Sequence, residues 1–130
     1  MSTLKADTIQ STGGGAATLT KQHAAKAWCS YSGSGTTFAD SFNMASATDN
    51  STGNYTFALT NAMGNANYAA STIAHPGTTT SPAIHTCEAD CSAGYLTGSL
   101  RVENAYSTLS TARTEYDFIK CAVTFHGDLA

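Results

Sequence analysis

The densest group of side chains that could do chemistry is the segment 85–91, whose sequence is HTCEADC. Histidine, cysteine and carboxylate side chains are zinc ligands, but a tetrahedral site needs four of them, commonly from two short-spaced pairs. The second pair is missing unless Cys29, Cys121 or a distant histidine joins. Cys87 and Cys91 instead favour a disulfide or a pair of neighbouring thiols, because a turn can bring their Cα atoms within about 7 Å. We predict neither a metal site nor a cofactor.

A hydrolase would need a serine, a histidine and a carboxylate brought together, or two carboxylates flanking a sugar bond. None of the histidines lies in a nucleophile context such as the G-x-S-x-G elbow. Glu88 and Asp90 are two residues apart, a spacing that is common in loops. The three glycines at 13–15 lack the Lys-Ser/Thr pair of a phosphate-binding loop. We therefore predict a protein without catalytic activity.

Aromatic side chains could stack on sugars, since their amphipathic rings suit that task, but most of them are accounted for by core and interface packing. Tyr95 and Tyr106 lie beside predicted turns and are least explained by a core. They are the candidate ligand-facing aromatics. Cys29 and Cys121 fall in predicted strands, where a cysteine behaves as a small buried hydrophobic residue.

Composition excludes several kinds of partner. Six Lys and Arg residues are spread singly along a chain of net charge −3, so no basic cluster exists for a nucleic acid or an anionic membrane. No apolar run approaches the roughly 20 residues of a membrane span. Leu, Ile, Val and Phe make up only 18 of 130 residues, against 22 Ala and 21 Thr. So thin a core gains by burying surface against copies of itself, which predicts self-association.

Apolar and polar residues alternate with a period of two along most of the chain, which is typical of β-strands. We predict strands at 26–31, 41–48, 55–60, 67–74, 95–103 and 115–126, with a hairpin turn at 49–54. The segment 75–91 holds both prolines and a run of Thr and Ser, and most of this long loop is predicted to be irregular. Six or seven such strands indicate an all-β fold, a single antiparallel β-sandwich over residues 16–130.

The alternation also assigns residues to the core face of each strand. The inward positions of the three clearest strands are Tyr55, Phe57 and Leu59, then Leu96, Gly98, Leu100 and Val102, and finally Ile119, Cys121, Val123 and Phe125.

Residues 1–15 are predicted to be an extended N-terminal arm that ends in a glycine hinge. Leu4, Ala6 and Ile9 lie near one face of this arm, which favours docking on another chain. Lys5 and Asp7 stand where a signal peptide needs an apolar stretch, so we expect no export by the general secretory route.

The stretch 25–69 resembles a pattern found in tail-fibre-like virion proteins of tailed bacteriophages, especially those of marine bacteria. The pattern has a KAW strand, a glycine-containing turn, an SFN strand, a TDNGTGDYT-like hairpin and a final ANY. Its counterparts here are Lys26-Ala27-Trp28, residues 33–35, Ser41-Phe42-Asn43, residues 48–56 and Ala66-Asn67-Tyr68. The opening TLKADTIQ is similar as well, while the second half of the chain matches only in its strand rhythm.

The resemblance implies a β-rich virion protein, made in the host cytoplasm, usually trimeric, that binds a host glycan or outer-membrane protein. Attachment to capsid or tail proteins would use the N-terminal arm. A capsid decoration protein is the alternative placement, and a carbohydrate-binding module is an alternative of another class. Cys29 replaces a residue that is usually aliphatic in the family, and Cys87 and Cys91 have no counterpart.

Overall fold

A computed structural model describes residues 12–13, 25–33, 36–75, 77, 83–90, 92–108, 110 and 112–130. This part of the chain contains ten strands and no helix. The strands are β1 Ala27–Tyr31, β2 Phe38–Phe42, β3 Met44–Ser51, β4 Asn54–Leu59, β5 Ala69–His75, β6 Ile84–Ala89, β7 Tyr95–Leu96, β8 Ser99–Ser107, β9 Thr114–Glu115 and β10 Lys120–His126. The predicted all-β class is confirmed. The number of strands exceeds the predicted six or seven because the segment predicted as one strand at 41–48 is divided between β2 and β3, and because β6 and the short strands β7 and β9 are additional.

The strands form two antiparallel sheets. The four-stranded sheet has the order β2-β1-β10-β5. The six-stranded sheet has the order β3-β4-β8-β6, and β7 and β9 both pair with β8. Alternate residues of each sheet are buried against the other, as in β1 and β10, which matches the predicted β-sandwich.

Aromatic side chains fill the space between the sheets, because large aliphatic residues are scarce. The ring of Tyr31 on β1 lies 4.6 Å from that of Phe57 and 5.3 Å from that of Tyr55, both on β4. These three residues are almost fully buried. Edge-to-face and tilted ring pairs of this kind add about 0.5–1.5 kcal/mol each beyond the area that they bury.

The prediction of one continuous strand at 41–48 is wrong. The chain leaves the four-stranded sheet at the end of β2 and enters the six-stranded sheet at the start of β3. Asn43 makes the corner with a φ of 57°, a left-handed conformation that asparagine tolerates better than most residues. Its side-chain amide donates to the carbonyls of Lys26 and Asn61, both at 3.1 Å, and its side-chain oxygen accepts from the Asn61 amide at 2.8 Å. Apolar and polar residues continue to alternate through this corner, so the sequence pattern does not reveal it.

The prediction that most of the segment 75–91 is irregular is wrong for residues 84–89. Residues 84–89 form β6, which pairs with β8 from Ile84↔Ser107 to Ala89↔Val102. The open edge of β8 supplies the hydrogen-bonding partner that makes this segment a strand. Both prolines precede β6, so neither removes an amide from its ladder.

Two residues predicted to face the core are exposed instead. Leu96 is 57 % exposed because β7 ends there and the chain reverses at residues 97–98, which interrupts the alternation before Leu100. Ile119 is 61 % exposed because β10 begins only at Lys120, and Phe118 is buried in its place. The other large inward positions of these segments, such as Leu100 and Val123, are buried as predicted.

A hydrogen-bonded anchor at Asp117 holds the segment 116–119, between β9 and β10, which is not a strand although the sequence predicts one over 115–126. The Tyr55 hydroxyl donates to the Asp117 carboxylate and to the Gly33 carbonyl, and the Gly53 amide donates to the same carboxylate at 2.6 Å. Gly33 also approaches Phe118 so closely that an added Cβ would lie 2.8 Å from backbone atoms. The anchor therefore joins the hairpin turn, the end of β1 and the start of β10.

Candidate functional site

The outer face of the four-stranded sheet carries its charged side chains near its margins, with Asp40 on the edge strand β2 and Lys120 at the start of β10 beside His75 of β5. Register places two rows of outward side chains across it. These rows are Phe42, Trp28, Thr124 and Ser71, and then Asp40, Ser30, Ala122 and Ile73. Within these rows of described residues only Asp40, on the edge strand β2, is charged.

Large apolar side chains stand on three of the four strands of this face. Phe42 on β2 is 52 % exposed, and its register partner Trp28, on the middle strand β1, is half-buried beside it. Ile73 on β5, at the opposite edge, is 68 % exposed. In the row of Ile73, the small side chains of Ser30 and Ala122 separate it from Asp40.

The outer face of the six-stranded sheet has the opposite character. The guanidinium of Arg113 contacts the carboxylates of Glu88 at 2.8 Å and Glu103 at 2.9 Å. A shallow groove of about 250 Å³ lies beside this ion-pair network, with Ile84 and Tyr106 among its lining residues. The charged groups of this network are in contact with solvent, and exposed ion pairs of this type contribute little to stability.

The two tyrosines predicted to face a ligand are packed against the core. Tyr95 is half-buried, and its ring lies 4.9 Å from that of Tyr68. Tyr106 is half-buried as well, with its ring perpendicular to that of Tyr116 at 5.7 Å. Both tyrosines adjoin the hydrophobic core cluster. Ligand contact by either residue remains a prediction. Phe42 and Tyr116 are exposed aromatic residues that sequence reasoning did not single out.

Three cysteines approach one another between the sheets. Cys29 on β1 and Cys121 on β10 are buried on the inner side of the four-stranded sheet, as expected of small hydrophobic residues. Cys87 on β6 faces them from the other sheet, with its sulfur 3.9 Å from the Tyr31 hydroxyl. The amide of Asn104 donates to the Cys121 sulfur at 3.2 Å and to the Tyr31 hydroxyl at 3.0 Å.

Burial makes these thiols poor nucleophiles and poor metal ligands. It raises the pKa of Cys29 and that of Cys87 to about 12 each, so both stay protonated at neutral pH. In the described part of the chain, no three His, Cys, Asp or Glu side chains are placed to hold a metal ion. Cys87 is a free thiol, while Cys91 lies outside the described residues, so the predicted bridge between them remains a prediction.

Asp90 has a structural task. Its carboxylate accepts hydrogen bonds from the hydroxyl and amide of Ser92 at 2.5 and 2.6 Å, and from the Asn54 side chain at 3.1 Å. Arg101 adds an ion pair at 3.0 Å. The hydrogen bonds from Ser92 and Asn54, helped by Arg101, hold the pKa of Asp90 well below its usual range. The hydrogen bonds and the ion pair of this carboxylate stabilise the turn that follows β6.

The predicted docking residues of the arm, Leu4, Ala6 and Ile9, lie outside the described residues, and so does the boundary predicted at residue 15. Within the described ranges there is no helix with the length and apolar character needed to cross a bilayer.

Comparison with protein-family models, with curated proteins and with solved structures found no match to the chain. The functional argument therefore starts from the sandwich and its two unlike faces.

Proposed function

We propose that this chain is a non-enzymatic structural protein of a tailed-bacteriophage virion, tail-fibre-like, and displayed on the particle surface as a homotrimer. Its N-terminal arm attaches it to a capsid or tail protein, and the outer end of the sandwich contacts a glycan or an outer-membrane protein of the host. The observation that carries the proposal is the resemblance of residues 25–69 to the strand-and-turn pattern of such proteins.

The positions in that pattern coincide with residues that shape this fold, which supports the proposal. Gly33 lies against the backbone of Phe118, Asn43 turns the chain from one sheet to the other, and Gly53 has a φ of 72° in the hairpin turn. Tyr68 is buried ahead of β5. A sequence pattern made of corner, turn and core residues is typical of a scaffold rather than of a catalytic centre.

The polar groups inside the described part support a role without catalysis. The carboxylates of Asp90 and Asp117 accept hydrogen bonds within turns. The side-chain amide of Asn104 donates to Tyr31 and Cys121. A catalytic base needs an oxygen or nitrogen that is free to accept a substrate proton. Asp90, Asn104 and Asp117 are already hydrogen-bonded to other groups of the protein.

Immunogold electron microscopy tests the placement. An antibody against the purified protein should label intact particles produced from the phage genome that encodes the chain. Label at tail tips would support the tail-fibre placement, and label over the heads would move the protein to capsid decoration. Particles that carry no label would overturn the virion proposal.

Deletion of residues 1–12 tests attachment. The truncated protein should keep the far-ultraviolet circular dichroism of the sandwich but fail to join particles. Incorporation at normal copy number would show that Leu4, Ala6 and Ile9 do not anchor it.

A carbohydrate-binding module is the second candidate, favoured by one observation. Phe42 and Trp28 stand side by side on a flat sheet face, an arrangement on which a sugar ring could stack. Glycan-array binding that is lost in Trp28→Ala, in a protein that does not label virions, would favour this candidate.

A further inference from the structure

We infer that the groove beside Arg113, on the outer face of the six-stranded sheet, is a binding site for a neutral sugar ring. The groove is lined by Ile84, Thr86, Glu88, Tyr106, Ser107 and Arg113. The inference rests on the proposed function, because it names the surface and the ligand class of the host contact. Three features of the groove carry it: its unused hydrogen-bonding atoms, its charge and size, and its position in the fold.

The ion pair in the groove leaves one donor and one acceptor unused. Nε and Nη2 of Arg113 both donate to the Oε1 atom of Glu88, and Nη2 also donates to Glu103. Nη1 of Arg113 and Oε2 of Glu88 form no hydrogen bond with a described residue, and neither does the hydroxyl of Ser107. The two bonds to Oε1 hold the guanidinium beside the carboxylate. Neighbouring hydroxyls of a sugar ring, each a donor and an acceptor, match such a fixed pair of charged groups.

Charge and size favour a small neutral ligand. The carboxylates of Glu88 and Glu103 outnumber the guanidinium of Arg113, so an anion would meet surplus negative charge, and a cation would compete with Arg113 for both carboxylates. The groove has a volume of about 250 Å³, below the roughly 300–1,000 Å³ of sites for drug-sized ligands. Ile84, which is 69 % exposed, adds an apolar side. A sugar ring has C–H groups for the apolar side and hydroxyls for the charged one.

The groove lies at the end of the sandwich away from the point where the chain enters β1. That strand begins at Ala27, opposite Phe125 near the end of β10. The start of β10 lies at the other end of the sandwich, shortly after Phe118. The ring of His85, near the start of β6, lies 5.3 Å from that of Phe118, so the groove shares this second end. An N-terminal arm attached to the particle leaves this end facing outward, where a host glycan is met.

Nuclear magnetic resonance of the full 130-residue chain tests the inference. Uniformly ¹⁵N-labelled protein is titrated separately with the methyl glycosides of glucose, galactose, mannose and N-acetylglucosamine. A shallow site for one ring should bind at least one of them with a dissociation constant on the order of 1 mM. The amide signals of Ile84, Glu88 and Ser107 should shift and saturate. Titrations in which no glycoside shifts these signals would overturn the inference, and so would shifts confined to Trp28 and Phe42 on the other sheet.

Arg113→Ala removes the guanidinium from the groove, and because exposed ion pairs contribute little to stability, the variant should stay folded. It should bind the same glycoside about tenfold more weakly. The matched control is Lys120→Ala, which removes an exposed cation from the four-stranded sheet and should bind as the wild type does. Unchanged affinity in Arg113→Ala, or equal losses in the two variants, would overturn the inference.

A second pair of variants leaves the ion pairs intact. Ile84 and Ile73 are 69 % and 68 % exposed on opposite sheets, so Ile84→Asp should weaken binding and Ile73→Asp should not. The reverse result would also overturn the inference. None of these measurements involves virions. Labelled particles together with a groove that binds no glycoside would remove the sugar site alone, and a groove that binds sugar in a protein absent from particles would remove the virion role alone.

Discussion

Alkaline solution should destabilise this protein through the thiols buried between its sheets. Burial raises the pKa of Cys29 from 9.0 to about 12, and that of Cys87 by a similar amount. A group whose pKa is raised by folding makes its full contribution to stability below the unfolded-state pKa. That contribution is lost as the pH rises towards the folded-state pKa, because the unfolded chain ionises first. The window is therefore pH 9 to about 12.

The magnitude follows from these two pKa values. One pKa unit corresponds to about 1.4 kcal/mol. The free energy of unfolding should thus fall by about 1 kcal/mol at pH 10 and by about 3 kcal/mol at pH 11 on account of Cys29. Cys87 is only half-buried, so solvent screening makes its share smaller.

Urea unfolding in the presence of a reducing agent, followed by the fluorescence of the single tryptophan Trp28, measures this loss from pH 7 to pH 11. The matched variant is Cys29→Ala, which we expect to cost about 1 kcal/mol at pH 7 through lost packing. Its free energy of unfolding should then fall less steeply, so that the wild type loses its advantage near pH 10. Tyrosine ionisation affects both proteins alike and cancels in the difference. Parallel curves up to pH 11 would refute the reasoning, because Cys29 would then ionise equally in the folded and unfolded chains.

Three further predictions concern the polar anchors. The lowered pKa of Asp90 stabilises the fold above pH 3.8, and this contribution is lost as the pH falls below that value. The Asp90→Asn variant should therefore lose less stability than the wild type on acidification. Melting temperatures measured from pH 2 to 7 test this expectation. Asn43→Ala should lower the free energy of unfolding by about 2–3 kcal/mol. Asn43→Gly should lower it by about 1 kcal/mol less, because glycine accepts the positive φ. Equal losses of unfolding free energy in the two variants, measured by urea unfolding, would contradict the role of Asn43 at the corner. Tyr55→Phe should cost about 2 kcal/mol through its bonds to Gly33 and Asp117, whereas Tyr116→Phe, at an exposed position, should cost less than about 0.5 kcal/mol.

The local pattern was enough to predict the inner faces of the best strands. Apolar residues occur at every second position in β4 and β10, and these residues are buried: Tyr55, Phe57 and Leu59 in β4, and Cys121, Val123 and Phe125 in β10. The prediction failed where the chain changes direction without changing its pattern. Asn43 turns the chain between sheets while apolar residues continue to alternate, and the reversal after Leu96 does the same within one hairpin.

The outer face of the four-stranded sheet could not be predicted from the sequence for a related reason. Phe42, Trp28 and Ile73 are separated by tens of residues, and which strands lie side by side is decided by pairing across the whole sheet. Strand β6 illustrates the same dependence, since residues 84–89 become a strand only against the edge of β8.

The sequence by itself determined that this chain forms antiparallel strands with an aromatic core, because a period of two and scarce large aliphatic residues are local properties of its composition. The tertiary structure alone decided which outward residues share a face. It joined Phe42 to Trp28, set Ile73 at the far edge, and gathered the charges of Arg113 and its partners on the other sheet. The physical reason is that the register between distant strands depends on how the whole core packs, and no local pattern records it.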